Sequence, residues 1–497
     1  MGQCIISLQM KIMPKDPQAN QPSDNASLPF FQVFKSKPLL IILLFSLILK
    51  LLVWATVLNT NPSSFFWDDA SRFHASAVGL LRLGRFVEDI ATPNLPQYAI
   101  PPGYPLLLAG IYAIIGEHPE AGVILNIIFS LATITLIYWI GAVLYGKNAA
   151  VLASLFLALD FSSFSYSLRL FSETFFTLFL TLVLYSSIRF FGTNGNKKWA
   201  FLVGVFLTCA VFARSIGYYL VIPICLVFLG WALARHWNIS KILTSLSLLV
   251  IPFLLFAGAW KIHNYYSLHS WQFSGISGFN MFYYRAAAIV ALQDDISLNE
   301  ARQKLDDQVD VYESSHPETQ TWTKGQYSDY WMSQGMKIVL ENPRLLIKTE
   351  INGMIPMLAG GGDGPVLRML NYPINTISDS ETFTALTNLD FELVMERFSS
   401  KLSFITFLYS EFYLLAIYFG AMLWLSSVIY KKQLTIVSIL ITTIIIYFLA
   451  ISAGPESGSR FRVPIMPFLV LLAASGWEWL RVLVIKRRES KPPKSIA

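Results

Sequence analysis

Apolar runs close to the length of a bilayer crossing, about 20 residues, recur along most of this chain from Pro38 to Ile485. A backbone in lipid must satisfy its own polar groups, and a helix does so within each segment. Of the 497 residues, 54% are hydrophobic and 14% charged, with a mean hydropathy of +0.52. Soluble domains carry about a quarter charged residues. The chain therefore reads as an all-α polytopic membrane protein. Its net charge of +6 lies in short Lys and Arg clusters between apolar runs. That is the pattern of cytoplasmic loops under the positive-inside rule, and it gives no reason to expect nucleic acid as a partner. Cys4, Cys209 and Cys225 make neither a disulfide framework nor a metal-ligand spacing.

The basic residues set an expected threading. Residues 1–37 form a cytoplasmic polar tail whose "MGQCIIS" start lacks the Ser or Thr of a myristoylation signal. The first run, Pro38–Leu58, follows Lys35 and Lys37 and shows no A-x-A site after it, so it is expected to be an uncleaved anchor. Residues 38–260 then form an N-terminal transmembrane module with an outer loop over 59–120. Within that loop, Asp69–Gly84 and Gly103–Gly116 are expected to lie in the interface, because the second is short and is followed by Glu117 and Glu120 rather than by a basic residue. Residues 261–401 form an outer-face region with partly inserted helices such as Met336–Leu358, 402–485 hold the last spans, and 486–497 are a basic cytoplasmic tail. The total is about ten spans with both ends inside. The Asn-x-Ser sites at Asn25 and Asn238 fall on the inner side, so no glycosylation follows.

This threading gathers polar residues at the outer ends of different spans: Asp68, Asp69, Arg72, His74, Arg169, Glu173, Arg214, Lys261, His263, Glu456, Arg460 and Arg462. Carboxylates and guanidinium groups at the lip of an apolar bundle suit a substrate with a greasy tail and an anionic head. Arg offers a forked pair of donors to phosphate, and a carboxylate can act as a base. Simpler roles stand beside these. Asp68 and Asp69 suit a helix N-terminus, Glu173 after Ser172 suits a first helical turn, and Arg460 and Arg462 can reach headgroups. Lys50 and Glu411 lie inside spans, where charge points to function. "LAGGGDGP", with Asp363, lacks the ending of a phosphate-binding loop and is simplest as a turn.

Several stretches resemble the GT-C superfamily of polyprenyl-phosphate-sugar-dependent glycosyltransferases, the group of the protein O-mannosyltransferases and lipid A aminoarabinose transferases. "DDASRFHASAVGLLRLG" is similar to the start of that group's first outer loop. There an Asp is followed by an aromatic, a small residue and a Gly, as Asp69 is here by Phe73, Ala77 and Gly84. "PPGYPLLLAGIYAIIG" resembles the second helix of the loop, and "YSLRLFSETFFTLFL" resembles the second acidic site, at Glu173. "FARSIGYYLVIP" is similar to an Arg-containing turn, with Ser215 where Pro is frequent. "AWKIHNYYSLHSWQFSGISGFNMFYYRAAA" places His263 where Arg is usual, and "SRFRVPIMPFLVLLAASG" is similar to the last-span entry of bacterial members.

The resemblance implies a GT-C-like bundle in a bacterial inner membrane with its active site on the extracytoplasmic side. It implies transfer of a sugar, with inversion, from a polyprenyl-phosphate donor to a hydroxyl-bearing acceptor, whether protein, lipid or glycan. Asp69 would be the general base and Asp68 its auxiliary, while Glu173 would orient the acceptor or hold a divalent ion. Arg214, Arg460 and Arg462 would stabilise the departing phosphate, with His263 and Glu456 also at the substrate. Metal dependence stays open, and no other cofactor is implied. The rival class is a transporter or flippase of a lipid-linked saccharide. Such a protein should show an internal repeat and several deep acids; the sequence shows no repeat, and Glu411 is the acid singled out within a span.

Overall fold

The computed structural model describes residues 29–67, 69–372 and 401–489. Asp68, residues 1–28 of the N-terminal tail, 373–400 and the last eight positions of the basic tail lie outside that description.

Among the described residues seven helices are long and apolar enough to cross a membrane: Lys37–Thr60, Pro119–Tyr145, Glu173–Gly192, Ser215–Ala234, Ile239–Leu268, Lys401–Lys431 and Ser459–Arg487. The pair Lys147–Leu159 and Phe161–Ser167, bent by 61°, makes an eighth. The other two expected spans are the helices Lys197–Ala213 and Ile436–Ser452, each of 17 residues. That length is at the short limit of about 17–25 residues for a crossing. The chain is a helical, multi-pass membrane protein.

The bend has a visible cause. Asp160 ends the first helix and caps the second, its Oδ2 accepting from the Ser163 amide at 2.7 Å. A broken helix leaves carbonyls without partners, which lipid cannot satisfy. Two tyrosines of the Lys401–Lys431 helix supply them: Tyr413 donates to Phe156 O at 2.8 Å and Tyr409 to Leu159 O at 2.9 Å.

Between the first two long helices, Asp69–Leu83 and Gly103–Ile115 pack on each other. Thirteen residues at about 1.5 Å per residue reach only some 20 Å, too short for the hydrocarbon core. A bidentate pair, Arg82 to Glu117 at 2.5 and 2.7 Å, ties the two helices at their far ends.

The region after Ile239–Leu268 departs from expectation in one respect. Met336–Leu358 is not one helix. Lys324–Glu341 ends at Asn342, and Pro343 begins Pro343–Ala359, because a proline lacks the amide that would continue the first helix but suits the first turn of the second. This region covers the first loop: Ser274 Oγ donates to Ala99 O at 2.6 Å, the Gly275 amide donates to Tyr98 O at 2.7 Å, and Lys324 pairs with Glu88.

The sidedness is an expectation that labelling checks. With the native cysteines replaced, single cysteines at the exposed positions Ser63 and Gly192 should react from opposite sides with an impermeant reagent. Labelling of both from outside in intact cells would reject the threading.

Candidate active site

The start of the Asp69–Leu83 helix is fixed by its own periodicity. Residues four apart share a helix face, so Asp69, Phe73 and Ala77 line up, and Phe73 and Ala77 are buried. Gly84 ends the helix at φ +63°, a left-handed conformation that costs glycine nothing. Phe73 meets Tyr104 edge-on at 5.2 Å and Phe171 at 6.3 Å. Gly103, at the head of the next helix, lies where a Cβ would come within 2.5 Å of Phe212 O. Its missing side chain brings Tyr104 close to the turn that carries Arg214.

Asn126 completes the frame from inside the bundle. Fully buried, it points its amide nitrogen at Tyr104 Oη (2.9 Å), Arg169 O (2.8 Å) and Phe171 O (2.9 Å). These contacts hold the turn before the Glu173 helix. Glu173 thus starts its helix beside Arg214, which follows Lys197–Ala213, and beside Arg460 in the short helix Ser459–Arg462.

The four side chains form one connected network. Glu173, with no exposure, pairs through Oε1 with both Arg214 and Arg460. Arg460 also reaches Asp69, Nη1 to Oδ2 at 2.8 Å, and Arg72 adds a contact to Asp69 at 3.4 Å. Both Arg460 and Arg169 stack on Phe171, at 4.7 and 4.2 Å, and near Tyr166. Four guanidinium groups therefore surround two described carboxylates, leaving the site positive. Burial pushes the Asp69 carboxyl up, but Arg460, by charge and hydrogen bond, with Arg72 and Arg214 behind it, holds it below the ordinary carboxylate value. Such a site can bind an anion and keep Asp69 ionised.

Other expected residues lie elsewhere. Arg462 is fully buried, donating from Nη1 to Met357 O (2.9 Å) and Leu358 O (3.1 Å) and from Nη2 to Ser162 Oγ (3.2 Å). Glu456 shares Arg285 with Glu350, at 3.4 and 2.9 Å, and burial pushes both carboxyls up despite that arginine. His263 is exposed and stacks on Trp260 at 4.6 Å. His74 meets Tyr112 Oη at 3.1 Å. Tyr104, Asn126, Tyr166 and Phe171 escaped the sequence reading, since an apolar run does not reveal which of its polar or aromatic members face a site.

Among the described residues no three His, Cys, Asp or Glu side chains gather. Glu173, expected to orient the acceptor or to hold a divalent ion, carries two guanidinium groups on Oε1.

Comparison with known proteins bears on the same stretch of chain. Residues 99–260 match the family of dolichyl-phosphate-mannose-protein mannosyltransferases. None of the curated proteins compared with the chain matches it. Among solved structures, the apo oligosaccharyltransferase of Archaeoglobus fulgidus is 13% identical with a TM-score of 0.48, over 94% of this chain and 54% of that one. The same organism's AglB, in complex with an inhibitory peptide and a dolichol-phosphate, is 12% identical with a TM-score of 0.47, over 93% and 53%. ArnT from Cupriavidus metallidurans, bound to undecaprenyl phosphate, is 11% identical with a TM-score of 0.36, over 91% and 81%. The chain spans about half the length of the archaeal oligosaccharyltransferases it matches. By the family match and the order of its motifs, the chain resembles the polyprenyl-phosphate-sugar-dependent glycosyltransferases of the GT-C superfamily.

Proposed function

We propose that this protein transfers a sugar from a polyprenyl-phosphate donor to a hydroxyl-bearing acceptor on the outer side of the membrane. The observation that carries the reading is the network of Asp69, Arg460, Glu173 and Arg214, balanced in itself, made positive by Arg72 and Arg169 beside it, and set among the ends of apolar helices. Asp69 takes the proton of the acceptor hydroxyl. The acceptor oxygen bonds to the anomeric carbon, and the carbon–oxygen bond to phosphate breaks with its electron pair leaving on the polyprenyl phosphate. One displacement inverts the anomeric centre. Arg460 and Arg214 face the anion that departs, a role worth several kcal/mol where preorganised donors meet developing charge. Glu173 anchors both arginines. Both are thereby kept beside the site before the donor binds.

The test uses a donor labelled in both sugar and lipid. Membranes containing the protein should release free polyprenyl phosphate and move the sugar label to a protein, lipid or glycan acceptor. Movement of intact donor across the membrane without cleavage would instead identify a transporter and overturn the reading.

A further inference from the structure

A guanidinium presents two forked faces, one formed by Nε and one terminal nitrogen, the other by the two terminal nitrogens. In Arg460, Glu173 engages Nε and Asp69 engages Nη1. Each face has thus lost one of its two donors to a carboxylate. A phosphate gripped by a fork, the strong geometry for Arg, needs one of them back.

The two carboxylates are not equally able to yield. Glu173 is fully buried and is held by Arg214 as well. Asp69 has a side chain 32% exposed, on a 15-residue helix outside the spans. The Asp69 contact is the one free to yield, since its carboxylate keeps some access to water and has only the more distant Arg72 contact besides, while Glu173 has no exposure.

We propose that Arg460 is a latch on Asp69, closed in the donor-free state and opened when the phosphate of the donor takes over its terminal fork. The inference rests on the donor reading above. While the latch is closed, Asp69 is a weak base. Once Arg460 turns to phosphate, what faces Asp69 is Arg72 from its own helix and the more distant Arg214, with the negative Glu173 beyond. Burial then dominates, and the carboxylate gains basicity at the moment an acceptor must lose its proton. The base is strong only when a donor is present.

The experiment measures the Asp69 carboxyl by infrared difference spectroscopy on the detergent-solubilised full chain, assigned by subtracting Asp69→Asn. The probe is dodecyl methyl phosphate, a phosphodiester with one fixed charge, whose binding is followed by calorimetry. The probe should raise the Asp69 midpoint by at least about one pH unit, a tenfold gain in proton affinity. In Arg460→Gln the midpoint should start high and move less than half as far. In Arg72→Gln, at a more exposed contact, the full probe-driven rise should persist, which keeps the test decisive if the first variant folds poorly. A probe that binds without moving the wild-type midpoint overturns the latch alone. An equal rise in Arg460→Gln, or a rise lost in Arg72→Gln, does the same. Failure of the probe to bind overturns the latch and the donor reading together.

Discussion

Asp69→Asn should leave a normally inserted protein whose sugar transfer is reduced at least about a hundredfold, within the 10²–10⁴ that a general base contributes. Asn keeps the size of Asp and can still accept hydrogen bonds at a helix start, but it cannot take the acceptor's proton. The ion pair to Arg460 is lost as well. With 32% of the Asp69 side chain and 25% of the Arg460 side chain exposed, water partly replaces that pair, and Arg460 keeps Glu173. Folding and chemistry therefore separate. Transfer assays set beside melting temperature in detergent provide the check, and near-normal transfer would leave Asp69 as a helix-end acid. Asp68→Asn should cost less, since only Asp69 fits the spacing to Phe73, Ala77 and Gly84 of the family that this stretch resembles. A larger loss at Asp68 would move the base to its neighbour.

Which parts of the site were legible in the sequence follows from which contacts are local. The spacing of Asp69, Phe73, Ala77 and Gly84 is helical periodicity ended by a left-handed glycine, so it can be read along one dimension. Glu173, Arg214 and Arg460 each mark the end of a span, and an up-and-down threading returns such ends to one level. Their contacts require that common level, while which end faces out rests on the loop charges alone. The partners of polar residues inside apolar runs were not legible. Nothing along the chain says that Asn126 braces the turn before Glu173, or that Arg285, in a run of aromatics, binds Glu350 and Glu456. Those pairings depend on how distant helices meet. Met336–Leu358 misled for a local reason: Pro343 sits at a helix start, where it is tolerated, rather than within one continuous helix.

Arg460 and Arg462 show the limit most sharply, and they carry the other large prediction. Two positions on a helix differ by about 200° in direction, so the pair looks alike in sequence and points to different places. Arg460 meets the two carboxylates, while Arg462 is fully buried and joins the end of Pro343–Ala359 to Ser162, just beyond the Asp160 break. Arg462→Ala leaves Met357 O and the Ser162 hydroxyl short of their donor, while Leu358 O keeps the Tyr418 hydroxyl. A buried group left unsatisfied costs about 1–3 kcal/mol, so the loss is a large part of a typical stability of about 5–15 kcal/mol. Folded yield and melting temperature should fall steeply, and any protein that does fold should use the donor nearly normally. Arg462→Lys should not rescue it, because one ammonium cannot reproduce a planar fork that reaches three acceptors. Arg460→Ala should do the opposite, keeping most of the yield and weakening donor use about ten- to a hundredfold, the worth of one charge-assisted contact at about 1.5–3 kcal/mol. Normal yield with impaired donor use in Arg462→Ala would return that residue to the binding site. The Asp160 break would then need another support for its second helix.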